Sequence, residues 1–187
     1  MKVKEYQNSI IILLNKIFPR LEIKKEWPAE IRELNLYSPI LDLAIGPFAI
    51  NKSLEDEYNK LQLTYQFFIE GLINLHNQNI HSIYSDCPYK NYYSVTSKNK
   101  NPRCFITIEI ENSVSRKHLI GGAINASALG RIGLFIAFTD EKFKAMKKLE
   151  GYFTFLSQVR KNTFDTGNLL ILSKDQFLDF LNKNVMA

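Results

Sequence analysis

The chain has 187 residues, a length at which one compact domain is the first expectation. Its 45% hydrophobic and 23% charged residues, with only eight glycines and six prolines, exclude a collagen-like, low-complexity or disordered chain. Subtracting 19 acidic residues from 24 Lys and Arg residues gives a net charge of +5, and the isoelectric point is near 9.1. This charge is compatible with a polyanionic partner, although many ordinary globular proteins are equally basic.

The cysteine content and the N-terminus indicate a cytoplasmic protein. Cys87 and Cys104 are too few for a disulfide framework, and no Cys/His cluster has zinc-binding spacing. The apolar run near the N-terminus covers only Ile10 to Leu14, which is far short of the roughly 20 residues of a membrane span. It is also shorter than the apolar part of a signal peptide, so we expect no targeting signal and no membrane partner.

The first quarter of the sequence predicts two helices and two strands. Apolar residues at helical spacing predict an amphipathic helix over 3–17, and the charged stretch 20–27 is compatible with an edge strand. Pro28 suits the first turn of a short helix over 28–34. The nearly continuous apolar run 40–45 predicts a strand buried on both faces, with Asp42 as its single charge.

The middle of the chain predicts a helical and irregular insertion over 53–103. Ser53 suits a helix N-cap, followed by acidic residues in the first turn of a long helix that ends near His76. Residues 77–103 show no clean periodicity and predict an irregular surface segment. The helix carries an apolar seam with alternating spacings of four and three, which packs either on the sheet or on a second copy: Leu54, Tyr58, Leu61, Tyr65, Phe68, Leu72 and Leu75.

The remainder of the chain alternates strands with helices. This order predicts an α/β protein with parallel neighbouring strands, and no repeat or linker divides residues 1–187 into further domains. The predicted elements are a strand over 104–111, a helix over 113–129, a strand over 132–138, a helix over 140–161, a strand over 169–172, and a terminal helix with a Ser173…Gln176 capping box.

Three acidic residues stand where apolar residues are expected. Asp42 interrupts a buried strand, and Glu109 and Glu111 lie two residues apart on another strand, which places both on one face. Carboxylates gathered at the end of a strand suit a hard divalent cation such as Mg²⁺. The alternatives are that Asp42 caps a turn or pairs with an Arg, and that the two glutamates form a solvated outer face.

The run Pro39-Ile-Leu-Asp42, the run Glu109-Ile-Glu111, and the helix and strand that follow resemble the PD-(D/E)xK nuclease superfamily. The resemblance covers about 100 residues. It implies a restriction-endonuclease-like core, in which a central mixed sheet is flanked by helices and here carries the insertion over 53–103. Glu111 stands where the family usually has Lys, and Pro39 is not adjacent to Asp42.

The resemblance also implies a metal site with defined roles. Asp42 and Glu109 are expected to bind Mg²⁺, or Mn²⁺ in its place, with help from the Ile110 carbonyl. Glu111 then occupies the position that orients or deprotonates the attacking water. A divalent ion lowers the pKa of bound water and neutralises charge that develops on a phosphodiester. An upstream acid, Glu30 or Glu33, is a candidate for a further contact.

Basic residues supply candidate nucleic-acid contacts in two places. Arg116 and Lys117 lie one helical turn into the helix after the Glu109 strand, where they can supply the missing cation, with Lys117 as the catalytic candidate; a solvated helix face is the alternative. The irregular segment carries basic residues interleaved with tyrosines, a mixture that suits phosphates and stacked bases as well as a plain surface loop: Lys90, Lys98, Lys100 and Arg103, with Tyr89, Tyr92 and Tyr93.

These observations favour a Mg²⁺-dependent DNA endonuclease of restriction or defence type. We expect it to act as a homodimer, because two sites are needed to address two strands, with the 54–75 seam as the candidate dimer surface. The alternative is a non-catalytic module with a nuclease-like fold that binds nucleic acid or protein. A third possibility is a regulatory subunit of a larger assembly that uses the same seam.

Overall fold

The computed structural model describes residues 1–29, 38–112, 115–162 and 164–186. These residues form an α/β architecture in which helices flank a five-stranded mixed sheet. Along the chain the elements are α1 (Val3–Ile17), β1 (Ile23–Pro28), β2 (Ile40–Ile45), α2 (Glu55–Thr64), α3 (Gln66–His81), α4 (Tyr92–Thr96), β3 (Cys104–Glu111), α5 (Arg116–Leu129), β4 (Gly130–Ala137), α6 (Asp140–Gln158), β5 (Leu169–Ser173) and α7 (Lys174–Val185).

The strands lie in the sheet in the order in which they occur in the chain. β1, β2 and β3 pair antiparallel, whereas β3, β4 and β5 pair parallel and are connected by α5 and α6. The strand–helix alternation therefore predicted the parallel half correctly. β4 is buried at every position, as expected for an apolar run covered on both faces.

Each face of the sheet has its own core. Ile108 and Leu134 belong to the face covered by α1, α2, α3 and α7. Phe135 and Ile171 point to the opposite face, which α5 and α6 cover. Strand residues that alternate in sequence therefore serve two different hydrophobic layers.

The insertion differs from the sequence prediction in two respects. The expected single helix is two helices, α2 and α3, which are separated at Tyr65. The segment expected to be irregular contains the end of α3 and the short α4.

The apolar seam is not available as a dimer surface. Its residues Leu54, Tyr58, Phe68 and Leu72 are buried in the core that they share with the sheet, because that face of the sheet needs helical cover.

Two predicted helix starts also change. Pro28 is the last residue of β1 and pairs with Ile40, a position at which an edge strand does not need the missing N–H. The rest of the helix expected over 28–34 falls mainly on residues 30–34, which lie outside the described residues. The helix expected from Ser113 begins at Arg116, because its N-cap residue Ser115 has an extended backbone; residues 113 and 114 lie outside the described residues.

Side chains of α3 and of the segment after it close the outer edge of β5. The imidazole Nδ1 of His76 accepts the N–H of Ile171 (3.0 Å), and the side-chain amide of Asn79 donates to the Ile171 carbonyl (2.9 Å). Lys90 Nζ donates to the Leu169 carbonyl (2.7 Å). An edge strand with paired polar groups offers no template for another strand.

This role of His76 makes stability depend on pH. Burial first, and then the charges of Lys90 and His81, hold the pKa of His76 well below its ordinary value of 6.5. As the pH falls below 6.5, the unfolded chain takes up a proton that the folded protein does not, so the free energy of unfolding falls by up to about 1.4 kcal/mol per pH unit.

We expect His76→Asn to lack this pH dependence of stability, because asparagine does not take up a proton. Its amide oxygen can still accept the Ile171 N–H. Urea denaturation between pH 5 and pH 7.5 measures it, and the stability advantage of the parent over the variant should shrink as the pH falls. A difference that stays constant with pH would contradict a neutral, buried His76.

α5 approaches β4 so closely that only glycine fits at Gly133. A Cβ there would lie 2.8 Å from the backbone of Ala126, whereas a Cβ on Gly121 of α5 would meet nothing within 4 Å.

We expect Gly133→Ala to lower the free energy of unfolding by about 1–3 kcal/mol through overpacking. The matched Gly121→Ala variant should gain about 0.5–1 kcal/mol, because alanine favours helix more than glycine does. Urea denaturation measures both, and a Gly133→Ala variant as stable as the parent would refute the close contact.

Candidate active site

The sheet places three acidic residues in one row across neighbouring strands. The register of β2 with β3 ends at the pair Leu43–Ile108, and its continuation sets Asp42 opposite Glu109. On the other side of β2, the register of β1 sets Glu26 opposite Asp42. Glu26 has a positive φ of 47°, an unusual conformation for a residue other than glycine. The row therefore lies where the regular ladder between the strands is interrupted.

The Asp42 carboxylate takes the place of a backbone group at this interruption. Its Oδ2 accepts the N–H of Ile110 (2.7 Å), two residues beyond the last paired residue of β3. Its Oδ1 accepts a hydrogen bond from the side-chain amide of Gln7 in α1 (3.0 Å). Asp42 thereby links β2, β3 and the first helix through one carboxylate.

Gln7 was not singled out from the sequence, although a signal for it existed. It falls on the apolar stripe of α1, in step with Val3, Ile10 and Leu14, and it is buried. A polar residue on the buried face of a helix needs a hydrogen-bond partner. The identity of that partner, Asp42, depends on tertiary packing and could not be read from the helix alone.

Glu109 holds a proton at neutral pH. Burial is the main cause that raises its pKa to about 9, followed by the negative charge of Asp42, their hydrogen bond and the charge of Glu111. Burial also raises the pKa of Asp42, while the hydrogen bonds from Ile110 and Glu109 act in the opposite direction. The two carboxyl groups therefore form a hydrogen-bonded pair in which Glu109 donates and Asp42 accepts.

The donor atoms of this pair are of the type that a hard cation uses. Mg²⁺ is commonly held by one or two carboxylates together with water. Asp42 supplies one carboxylate, and Glu109 on the adjacent strand supplies a second when a bound ion displaces its proton. Within the ranges that the structure describes, no group of three His, Cys, Asp or Glu side chains is arranged to hold a metal ion. Glu30 and Glu33, the candidates for a further acidic contact, lie outside the described residues. Asp42 and Glu109 are thus a minimal set of ligands, and their oxygen atoms are of the type that Mg²⁺ prefers.

Glu111 and the first turn of α5 lie at the same end of the sheet as the pair. Glu111 is half-buried, two residues along β3 from Glu109, and it is opposite Ala137 of β4. Arg116 and Lys117 are exposed at the start of α5, which follows β3 after a short connection. Acidic and basic candidates from the second half of the sequence are therefore brought to one region.

The basic residues before β3 are not brought to this region. Arg103 precedes β3, and six residue-to-residue steps along the strand, or about 20 Å, separate it from Glu109. The Arg103 guanidinium donates to the Ile50 carbonyl (2.7 Å), and Lys100 is exposed nearby in sequence. Lys98 pairs with Asp165 (3.1 Å). These side chains lie toward the opposite end of the sheet from the carboxylate pair.

Lys90 also has a local role. Its Nζ lies 2.6 Å from a carboxylate oxygen of Glu150 and donates to the Leu169 carbonyl. The side chain is only 14% exposed. Lys90 is therefore engaged in closing the edge of the sheet, a role that its place in a Tyr- and Lys-rich segment did not indicate.

Comparison with known proteins adds no family or relative. No protein-family model, no curated protein sequence and no solved structure matches the chain. Across the described residues, no helix combines the length and the apolar content that a bilayer span requires.

The hydrogen bonds of Asp42 predict unequal effects for the two acids. Asp42→Ala leaves the Ile110 N–H and the Gln7 amide without their acceptor, so we expect the free energy of unfolding to fall by about 1–3 kcal/mol. Glu109→Gln keeps a donor for Asp42 and should change stability by less than about 1 kcal/mol. Urea denaturation in buffer with a chelator measures both. Equal losses in the two variants would contradict Asp42 as the residue that joins the strands.

Proposed function

We propose that this protein is a divalent-metal-dependent endonuclease that hydrolyses DNA with a restriction-endonuclease-like core. The observation that carries the proposal is the pair of carboxyl groups of Asp42 and Glu109 on adjacent strands. The order of elements supports it. The acid-bearing strands β2 and β3 are followed by the crossover helix α5 and the parallel strand β4, which is the order that the family resemblance implies.

The roles of the residues follow from their positions. Asp42, Glu109 and the Ile110 carbonyl are the groups that would hold Mg²⁺ or Mn²⁺. The ion, when bound, supplies an activated water and neutralises charge on the phosphodiester. Glu111, on the same face of β3 as Glu109, accepts a proton from the attacking water. Gln7 fixes the orientation of Asp42 through its amide.

Basic side chains complete the proposal by binding the DNA backbone. Arg116 and Lys117 lie nearest along the chain to the carboxylate pair and contact the phosphate at which hydrolysis takes place. Arg103 lies about 20 Å away along β3, a distance that corresponds to roughly six nucleotide steps at 3.4 Å each. A phosphate bound by Arg103, or by the exposed Lys100 close to it in sequence, would therefore be remote from the cut. In a homodimer, the two copies meet through a surface other than the 54–75 seam.

A plasmid assay tests this function. The parent should nick or cut supercoiled plasmid with Mg²⁺ or Mn²⁺ and not with chelator, and Asp42→Asn and Glu109→Gln should each lower the rate about 100-fold or more. Glu22→Gln is a matched control, since Glu22 is an exposed acid that pairs with Lys24. Folding of each variant is checked by circular dichroism. Equal cutting by the site variants and the control would exclude this site.

The second candidate is a non-catalytic module that binds nucleic acid or another protein. It is favoured by the completeness of the Asp42 network, because Ile110, Gln7 and protonated Glu109 satisfy the carboxylate without a cation. Calorimetry with Mn²⁺ and Ca²⁺ separates the two candidates. DNA binding without divalent-ion binding and without cutting would establish the module.

A further inference from the structure

A second polar site lies beside β5, away from the carboxylate pair. A cavity of about 300 Å³ opens between α3, α6, the segment before and through α4, and the loop that leads into β5. The sheet order places two strands, β3 and β4, between β2 and β5, and the cavity shares no lining residue with the Asp42 network. The proposed nuclease activity therefore does not use this cavity.

A buried carboxylate in the cavity wall, that of Glu150, has only one of its two oxygens paired within the described residues. Glu150 of α6 is 5% exposed, and its Oε1 lies 2.6 Å from Lys90 Nζ and 3.9 Å from His76 Nε2. Its Oε2 is buried and has no hydrogen-bond partner among the described residues. A buried carboxylate oxygen without a donor is unfavourable, so a ligand N–H that reaches this atom after a rotation of the Glu150 carboxylate toward the cavity would be stabilised.

The backbone of Lys90 is held by hydrogen bonds, and the charged side chains of the cavity wall are paired. Asn77 holds the backbone of Lys90 from both sides, because its amide donates to the Lys90 carbonyl (2.8 Å) and its oxygen accepts the Lys90 N–H (3.0 Å). The other two charged residues of the wall, Lys98 and Asp165, also pair with each other (3.1 Å). A phosphate or a free ammonium ion would have to disrupt one of these pairs, so the balance favours a neutral ligand.

Aromatic rings give the cavity a preference for a flat molecule. Phe153 and Phe164 both line it, and their rings meet edge to face with centroids 5.5 Å apart. Hydroxyl groups of Ser94, Thr154 and Thr166 lie along the same walls. A volume of this size is at the small end of ligand sites, which run from about 300 to 1,000 Å³.

We propose that this cavity binds a purine or pyrimidine base, free or as its nucleoside, through an N–H that donates to Glu150 Oε2. The base supplies the missing donor, packs its ring against Phe153 and Phe164, and carries no charge that would compete with the two ion pairs. The sugar hydroxyls of a nucleoside then meet the polar part of the wall.

Titration calorimetry of the whole chain with guanosine, adenosine, cytidine and uridine tests the proposal. Caffeine is the matched probe, because it has a similar flat ring system but no N–H. At least one nucleoside should bind, and caffeine should not. Glu150→Gln should weaken nucleoside binding about 10-fold or more by removing the charged acceptor.

Two further variants keep the test decisive even if Glu150→Gln folds poorly. Thr154→Trp fills the cavity from α6 and leaves the Lys90–Glu150 pair in place, so it should abolish binding. Glu141→Gln changes an exposed acid of the same helix and should leave binding unchanged. The proposal is overturned if no nucleoside binds up to its solubility limit, if caffeine binds equally well, or if Thr154→Trp binds like the parent.

Discussion

The outer edge of β5 imposes the constraint that organises much of this molecule. The Leu169 carbonyl, both polar groups of Ile171 and the Ser173 N–H face away from β4, and each has a side-chain partner, from Lys90, His76, Asn79 and Gln176. Three of these partners come from α3 and the segment that follows it. The long stretch between β2 and β3 is therefore a structural cover for the last strand and the adjoining face of the sheet, and not an appendage to a finished core.

The two proposed sites share a physical origin. At one, Asp42 completes the hydrogen bonding of β3 at Ile110; at the other, Lys90 completes that of β5 at Leu169. Each of these charged groups then needs a second polar residue beside it, which is Glu109 or Glu150. Polar side chains that are placed to satisfy the backbone thus leave a carboxyl group at the margin of the core, where it is able to meet a ligand.

The features predicted correctly from sequence are local ones. Strict alternation of side chains between two faces predicted β3, and the unbroken apolar run predicted β4. The capping box at Ser173 predicted the start of α7. Asp42 and Glu109 face each other because of the register between β2 and β3, and neither strand specifies that register alone. The contact of Lys90 with Glu150 joins a segment without periodicity to a helix far along the chain. The spacing of the 54–75 seam predicted a buried face but did not decide between the chain's own sheet, which covers it, and a second copy.

The left-handed conformation of Glu26 has a consequence for assembly. β1 is the other border of the sheet, and it presents Lys24, Lys25 and Pro28 together with this distorted residue. Charges, proline and irregular backbone all oppose the docking of a further strand, and at β5 the docking groups are already occupied. Growth of the sheet across molecules, whether as β-augmentation by a peptide or as aggregation of copies, is disfavoured at both borders. Addition of a strand at either border is therefore the mode of partner binding that this sheet opposes most.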